Sequence, residues 1–288
     1  MQTQTKSPIF IVGCPRSGTT LLQSLLAAHP DITSFPESHF FRHLIDNRGR
    51  MRRRLGIASK YARNRFEEFL SEIEHEEMQK YLPKYALFMS QYTKAFIKVL
   101  DTLTEKQQKS FWIEKTPDHV LYIDYIEKLV EKAKFIHIIR NGSDAVASLY
   151  EVTHKHPEIW HGEWDIDKCI SHWIKCINHT HKHLHKSNHI LVTYEKLIVE
   201  PESTLNRLGV FLGINLDYKM LKSRRGIVEQ IVLKNEPWKA SVNQPLSSVG
   251  SNKFNKIFND NQKSYIRKKL SVINLDQLDS VTTESIKL

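Results

Sequence analysis

The segment Ile9-Phe10-Ile11-Val12-Gly13-Cys14-Pro15-Arg16-Ser17-Gly18-Thr19-Thr20 constrains this 288-residue chain more than any other stretch. Ile9–Val12 is an apolar run of strand length, the loop after it is bounded by two glycines, and Thr19–Ala28 carries a helical pattern. A strand that enters a helix through so short a loop aims several main-chain N–H groups, and the positive end of the helix dipole, at one spot. That spot suits a phosphate-like anion. Arg16 adds a full charge, and Thr19 and Thr20 add hydroxyl donors.

Three further runs rich in Ile, Val and Phe read as buried parallel strands: Phe111–Glu114, Phe135–Ile139 and His189–Val192. Helical patterns lie between them, over Leu121–Lys132, from Asp144 to Tyr150 and over Asp167–Lys186. The alternation predicts an α/β fold, a P-loop-like three-layer domain with a central, mostly parallel sheet flanked by helices. A charged, largely helical insertion without strand signal spans about 40–110. After Pro201 come an amphipathic helix, Glu202–Leu212, an irregular stretch over about 235–255, and a late helix, Asn261–Leu270. Long irregular stretches inside compact domains are often binding loops. No internal repeat or linker divides the chain, so 1–288 reads as a single domain.

The loop resembles the triphosphate pattern G-x-x-x-x-G-K-[ST], but Thr19 stands where lysine belongs. Triphosphate enzymes also need an acid at the end of a neighbouring strand to hold Mg²⁺. Here Phe135–Ile139 ends in Arg140-Asn141. A loop lacking both favours an anion that needs no metal, which argues against most kinases and ATPases.

At this point the chain resembles the sulfotransferase superfamily that uses 3'-phosphoadenosine-5'-phosphosulfate (PAPS), in particular the branch of tyrosylprotein sulfotransferases and related bacterial enzymes. Pro15-Arg16-Ser17-Gly18-Thr19-Thr20 is similar to that branch's 5'-phosphosulfate loop. Phe135–Ser148, a strand ending in Arg140 with Ser148 eight residues on, resembles the 3'-phosphate motif. Lesser matches are Glu114-Lys115-Thr116-Pro117, Tyr194-Glu195-Lys196-Leu197 and Phe211-Leu212-Gly213. The resemblance implies transfer of a sulfuryl group from PAPS to an acceptor hydroxyl, on a peptide tyrosine, carbohydrate, lipid or small alcohol or phenol, without a metal. It implies Glu37 as the catalytic base, with His39 and His43 as rivals. Arg16 is expected at the sulfuryl or 5'-phosphate oxygens, Lys115 at the bridging oxygen, and Tyr194 at the adenine or its phosphates. It also implies a late loop closing over the nucleotide. Ser247, Ser248, Gly250 and Lys253 are the candidates there, although Ser251-Asn252 separate the glycine from the basic residue.

Plainer readings stand beside each of these. The plainer alternative for Arg16 is a surface residue in a tight turn, and for Arg140 the partner of Asp144 one helical turn on. Lys115 reads as a strand-end lysine pointing into water, and Tyr194 as a core aromatic. His179, His181, His183 and His185 form i,i+4 pairs, but no cysteine or carboxylate completes a metal set at matching spacing. They read as an exposed helix end.

A net charge of +10 and a pI near 9.3 attract polyanions of every kind. A metal-dependent phosphotransferase is therefore one alternative, and a non-catalytic polyanion binder is another. No nucleic-acid reading motif is present. The run Arg48, Arg50, Arg52, Arg53, Arg54 reads first as a solvated face. No stretch approaches the ~18–20 apolar residues of a membrane span, and the short polar start lacks a secretory pattern. Three cysteines, Cys14, Cys169 and Cys176, make no disulfide framework. Cys14 reads as a small buried residue or a reactive thiol. A cytoplasmic setting is the resulting expectation.

Overall fold

The fold is described from a computed structural model, which covers residues 7–45, 49–218, 226–233, 236, 238–239, 252–275 and 278. Five strands form one parallel sheet: β1 (Ser7–Gly13), β2 (Ile32–Ser34), β3 (Phe111–Lys115), β4 (Lys134–Ile139) and β5 (His189–Thr193). Their order is β2-β3-β1-β4-β5. The central β1 pairs Ile9 with Ile113 of β3 and with Lys134 of β4. Helices follow in chain order as α1 (Thr19–Ala27), α2 (Phe40–Leu44), α3 (Arg50–Arg54), α4 (Ala62–Glu72), α5 (Met89–Lys106), α6 (Ile123–Leu129), α7 (Gly142–Lys155), α8 (Ile166–His183), α9 (Tyr194–Val199) and α10 (Pro201–Leu212).

The apolar runs are continuous because both sheet faces are covered. Side chains alternate along a strand, so Ile9 and Ile11 enter one core with Ile113, Ile136, Ile138, Ile190 and Val192. That face is covered by Leu21, Leu22, Leu25 and Leu26 of α1 and by Leu205, Leu208 and Leu212 of α10. Phe10 and Val12 point the other way, into a core shared with Trp112, Phe135, Leu191 and α2, α4, α5, α7 and α8. Each such fully buried side chain contributes ~1.5–3 kcal/mol, which holds the strand ends, and the site built on them, in register.

Three expectations are corrected. The edge strand β2 is not predicted, since a run of three with polar Thr33 and Ser34 has too little period to read; its pairing with β3 makes it a strand. The pattern over Leu121–Lys132 is two elements, a 3-10 turn at Pro117–Tyr122 and then α6. The helical signal ends early because the chain leaves α6 at Val130 and takes a left-handed conformation at Lys132. Finally, the histidine cluster is not uniformly exposed. His181 and His185 face water, but His183 is buried and meets Glu127 and His189 from other elements. The insertion is helical as expected, with one antiparallel bridge between Ile57 and Phe88. Arg50–Arg54 form the short, unburied helix α3, while Arg48 lies outside the described residues.

Candidate active site

The phosphate loop is shaped by two close approaches that only glycine permits. A Cβ on Gly13 would stand 2.2 Å from the Ile138 carbonyl oxygen of β4, and one on Gly18 would stand 2.3 Å from the Tyr194 ring. Between them Arg16 has φ 70 and Gly18 φ 94, both in the left-handed region. Such a non-glycine residue is strained, and strain of this kind gathers at binding sites. Gly18 is the N-cap of α1 and supplies no side-chain cap, so the first N–H groups of the helix stay open toward the loop. Ser17 Oγ is buried and has no hydrogen-bond partner among the described residues. Thr19 and Thr20 are buried behind it.

The second basic motif lands on the same spot. Arg140, at the end of β4, donates from Nη1 to the Arg16 carbonyl at 3.3 Å. Arg16 Nε donates to Ser148 Oγ at 3.3 Å, although the two lie 132 residues apart. Burial, and then the neighbouring Arg140, pulls the Arg16 pKa down. Arg140 lies over the Tyr194 ring at 4.5 Å, and its contact with Asp144 is long, at 4.0 Å. Tyr194, nearly buried, is thus wedged between Gly18 and the Arg140 guanidinium. Asn141 caps α7 by accepting from Ser143 N and Asp144 N, which fixes the turn between Arg140 and Ser148.

Beside this basic pair sits a buried ion cluster. Lys115, at the end of β3, is wholly buried and does not point into water. Its Nζ bonds Glu37 and lies 3.3 Å from Thr20 Oγ1. Burial draws its pKa down to about 8, with the Glu37 carboxylate only partly offsetting the effect. Burial pushes the Glu37 carboxyl upward, but Lys115, Lys239 and His39 outweigh it and hold the group below the ordinary carboxylate range. His39 Nε2 is 3.6 Å from Glu37, while His43 lies half-buried further along α2.

The Glu37 turn is held by a second buried carboxylate. Glu114 accepts from Ser38 Oγ and Thr116 Oγ1, each at 2.7 Å, and lies 2.8 Å from His119 Nδ1. Thr116 Oγ1 in turn accepts from the His39 N–H.

Lys239 and Glu236 were not singled out in the sequence. Lys239 Nζ lies 2.6 Å from Glu37 and bonds Glu236, and the Trp238 carbonyl accepts from Arg16 at 3.3 Å. This region belongs to the irregular stretch over about 235–255; of the residues expected at the nucleotide there, Ser247, Ser248 and Gly250 lie outside the described residues. Lys253 opens a short helix, Lys253–Ile257, and bonds Glu151 of α7.

A family profile described as "Sulfotransferase family" matches residues 8–218, which include both basic motifs and the ion cluster apart from Lys239 and Glu236. The chain belongs to the sulfotransferase family. Relatives of this sulfotransferase include protein-tyrosine sulfotransferase A of Caenorhabditis elegans, 24% identical over 244 residues, 81% of this chain and 56% of that protein. Protein-tyrosine sulfotransferase 2 of Gallus gallus is 25% identical over 224 residues, 72% of this chain and 51% of that protein. The sulfotransferase thus spans about half the length of these curated relatives. Among solved structures, the "Sulfotransferase Domain from the Curacin Biosynthetic Pathway" shares its fold with a TM-score of 0.60 at 19% identity, over 93% of this chain and 99% of that one. Among the described residues, no helix of the sulfotransferase is long and apolar enough to cross a membrane.

Proposed function

We propose that this sulfotransferase, read as one domain over 1–288, transfers a sulfuryl group from PAPS to a hydroxyl of its acceptor. One observation carries the reading: Arg16 and Arg140, from loops far apart in sequence, meet in one partly buried site. Two guanidiniums held this close repel each other, and an anion between them offsets that repulsion. A nucleotide bearing phosphate at both ends supplies that charge. The unpartnered Ser17 hydroxyl and the uncapped start of α1 fit phosphate oxygens.

In this reading Pro15, Arg16, Ser17, Gly18, Thr19 and Thr20 hold the 5'-phosphosulfate end. Arg140 and Ser148 hold the 3'-phosphate, and Tyr194 walls the site. Ser248, Gly250 and Lys253 belong to the covering segment. Glu37 takes the acceptor's proton as the new sulfur–oxygen bond forms. The bond from sulfur to the bridging oxygen breaks, and its electron pair leaves on the 5'-phosphate oxygen, where the Lys115 ammonium and Arg16 stabilise it. No metal enters these steps. Glu37 is ionised at working pH but shares its proton-accepting oxygen with Lys115 and Lys239. It becomes free to act when a developing negative charge draws Lys115 away. Peptide tyrosine, carbohydrate, lipid and small alcohol or phenol are the acceptor classes to test. Three free, buried cysteines suit a reducing compartment, and we place the protein in the cytoplasm.

The test is to incubate the protein with PAPS and a panel of these acceptors and to measure adenosine 3',5'-bisphosphate. Formation with at least one acceptor class, lost in Glu37→Gln, is expected. Product with none, together with no binding of the bisphosphate, overturns the reading.

A further inference from the structure

We propose that Cys14, His172 and Cys176 form a binding site for one thiophilic divalent metal ion of the zinc class, held in place by Asp118. The three cysteines show no metal spacing in the sequence, because Cys14 and Cys176 are brought together only by the fold. Cys14 is the loop residue after β1, whereas His172 and Cys176 stand four apart on α8 and so share one helical face.

The two thiols and one imidazole nitrogen all lie within 4.8 Å of one another. Three points so spaced have a common centre at most about 2.8 Å from each, close to the ~2.3 Å of a zinc–thiolate bond and ~2.0–2.1 Å of a zinc–imidazole bond. Contraction by up to about half an ångström at the thiolates, and somewhat more at the imidazole, completes a three-ligand set with a fourth position for water. Soft thiolates with imidazole select zinc-class ions over the hard cations that carboxylates prefer. Both thiols are buried, while the His172 side chain keeps 16% of its surface exposed, which provides an entry path.

Asp118 is the independent observation. Its Oδ1 lies 3.1 Å from His172 Nε2, which leaves Nδ1 as the nitrogen for a metal. A carboxylate on the far nitrogen of a ligating histidine is the usual outer-shell partner of such sites, fixing both tautomer and ring orientation. Arg42 approaches Asp118 from the other side, at 3.5 Å, and the Trp164 ring packs edge-on to His172.

The ion would tie the phosphate loop to α8 and, through the contact of His172 with Asp118, to the 3-10 turn that follows Lys115. It therefore stiffens the two segments that carry Arg16 and Lys115 without taking part in the transfer. The inference rests on the fold and stands whether or not PAPS is the donor.

The experiment uses the full chain, reduced with a phosphine, stripped with a chelator and titrated anaerobically with Co²⁺. Expected are tetrahedral cobalt bands in the visible and a thiolate-to-cobalt charge-transfer band in the near ultraviolet, saturating at one equivalent. Zn²⁺ should displace the cobalt and raise Tm. Cys14→Ser and Cys176→Ser should each lose about half of the charge-transfer intensity. Cys169→Ser, whose thiol lies outside the cluster, should keep it all. Absence of a saturable band in the wild-type chain overturns the proposal, whatever the folding of the variants. So does an unchanged band in Cys14→Ser/Cys176→Ser, or a Cys14–Cys176 disulfide formed in air by protein that takes up no metal when reduced.

Discussion

Arg140 donates to the main-chain carbonyl of Arg16, so the end of β4 and the glycine-bounded loop after β1 meet in one basic site. The Arg16 backbone at this contact is in the left-handed conformation, with φ 70. The two basic motifs act as a unit, and their removal has different consequences for binding and for stability.

Arg16→Ala and Arg140→Ala should each weaken adenosine 3',5'-bisphosphate binding ~10- to 100-fold, the worth of a charge-assisted hydrogen bond of ~1.5–3 kcal/mol. Titration calorimetry reads this directly. Arg16→Ala should leave Tm unchanged or raise it, since burial and the Arg140 charge both work against the Arg16 cation. A marked fall in Tm with unchanged affinity would make the arginine structural.

Glu37→Gln should lower kcat by ~10²–10⁴, the usual reach of a general base. It should also cost ~3–5 kcal/mol of stability, because it leaves the Lys115 and Lys239 ammoniums buried without their shared counter-charge. Adding Lys239→Met should restore part of that stability, by denaturant melts, and none of the rate. Full recovery of rate in the double variant would remove Glu37 from the chemistry.

The Lys115 pKa, drawn down to about 8 by burial, puts a limb on the pH profile. The charged form is the one that stabilises the leaving oxygen, so kcat/KM should fall as pH rises through about 8. Lys115→Arg should start lower and lose that limb, since guanidinium keeps its proton. An identical alkaline limb in the variant would assign it to another group.

Acid stability should be governed by the histidine chain under β4 and β5. His137 Nε2 lies 2.8 Å from His189 Nδ1, and His189 Nε2 lies 3.0 Å from Glu127, with His183 and Lys186 adjoining. Burial is the main cause that lowers both pKa values, that of His189 to about 4 despite Glu127. In the unfolded chain these groups protonate near pH ~6.5. The unfolded state therefore binds more protons below that point, so stability is full above ~6.5 and is lost as pH falls through about 4. For His189 alone the loss is on the order of 3 kcal/mol. Chemical melts of wild type and His189→Gln across this window check it; the variant should show a flatter slope.

The central sheet was legible because burial on both faces forces long runs such as Ile9–Val12 and Phe135–Ile139, which need no partner to be read. β2 was not, because a three-residue edge strand exists only through β3. The same distinction runs through the site. Gly13, Arg16, Gly18, Arg140 and Ser148 lie in local patterns whose loop and helix geometry follows from chain stereochemistry, so the strand–loop–helix turn and the basic end of β4 could be placed in advance. Lys239 has no local pattern, and Glu114, although it sits in the Glu114-Lys115-Thr116-Pro117 match, takes its role from the Ser38 hydroxyl and the His119 ring that the fold brings within reach.

Local order and hydrophobic period are short-range properties, and they alone determined the layered α/β core, the phosphate loop and the basic end of β4. Whether Lys115 would be solvated or buried was decided only in three dimensions, as were the two lysines on Glu37 and the meeting of Cys14 with His172 and Cys176. The physical reason is that ionisation and ligand chemistry depend on charges and surfaces a few ångströms away, and those neighbours come from dozens to hundreds of residues along the chain.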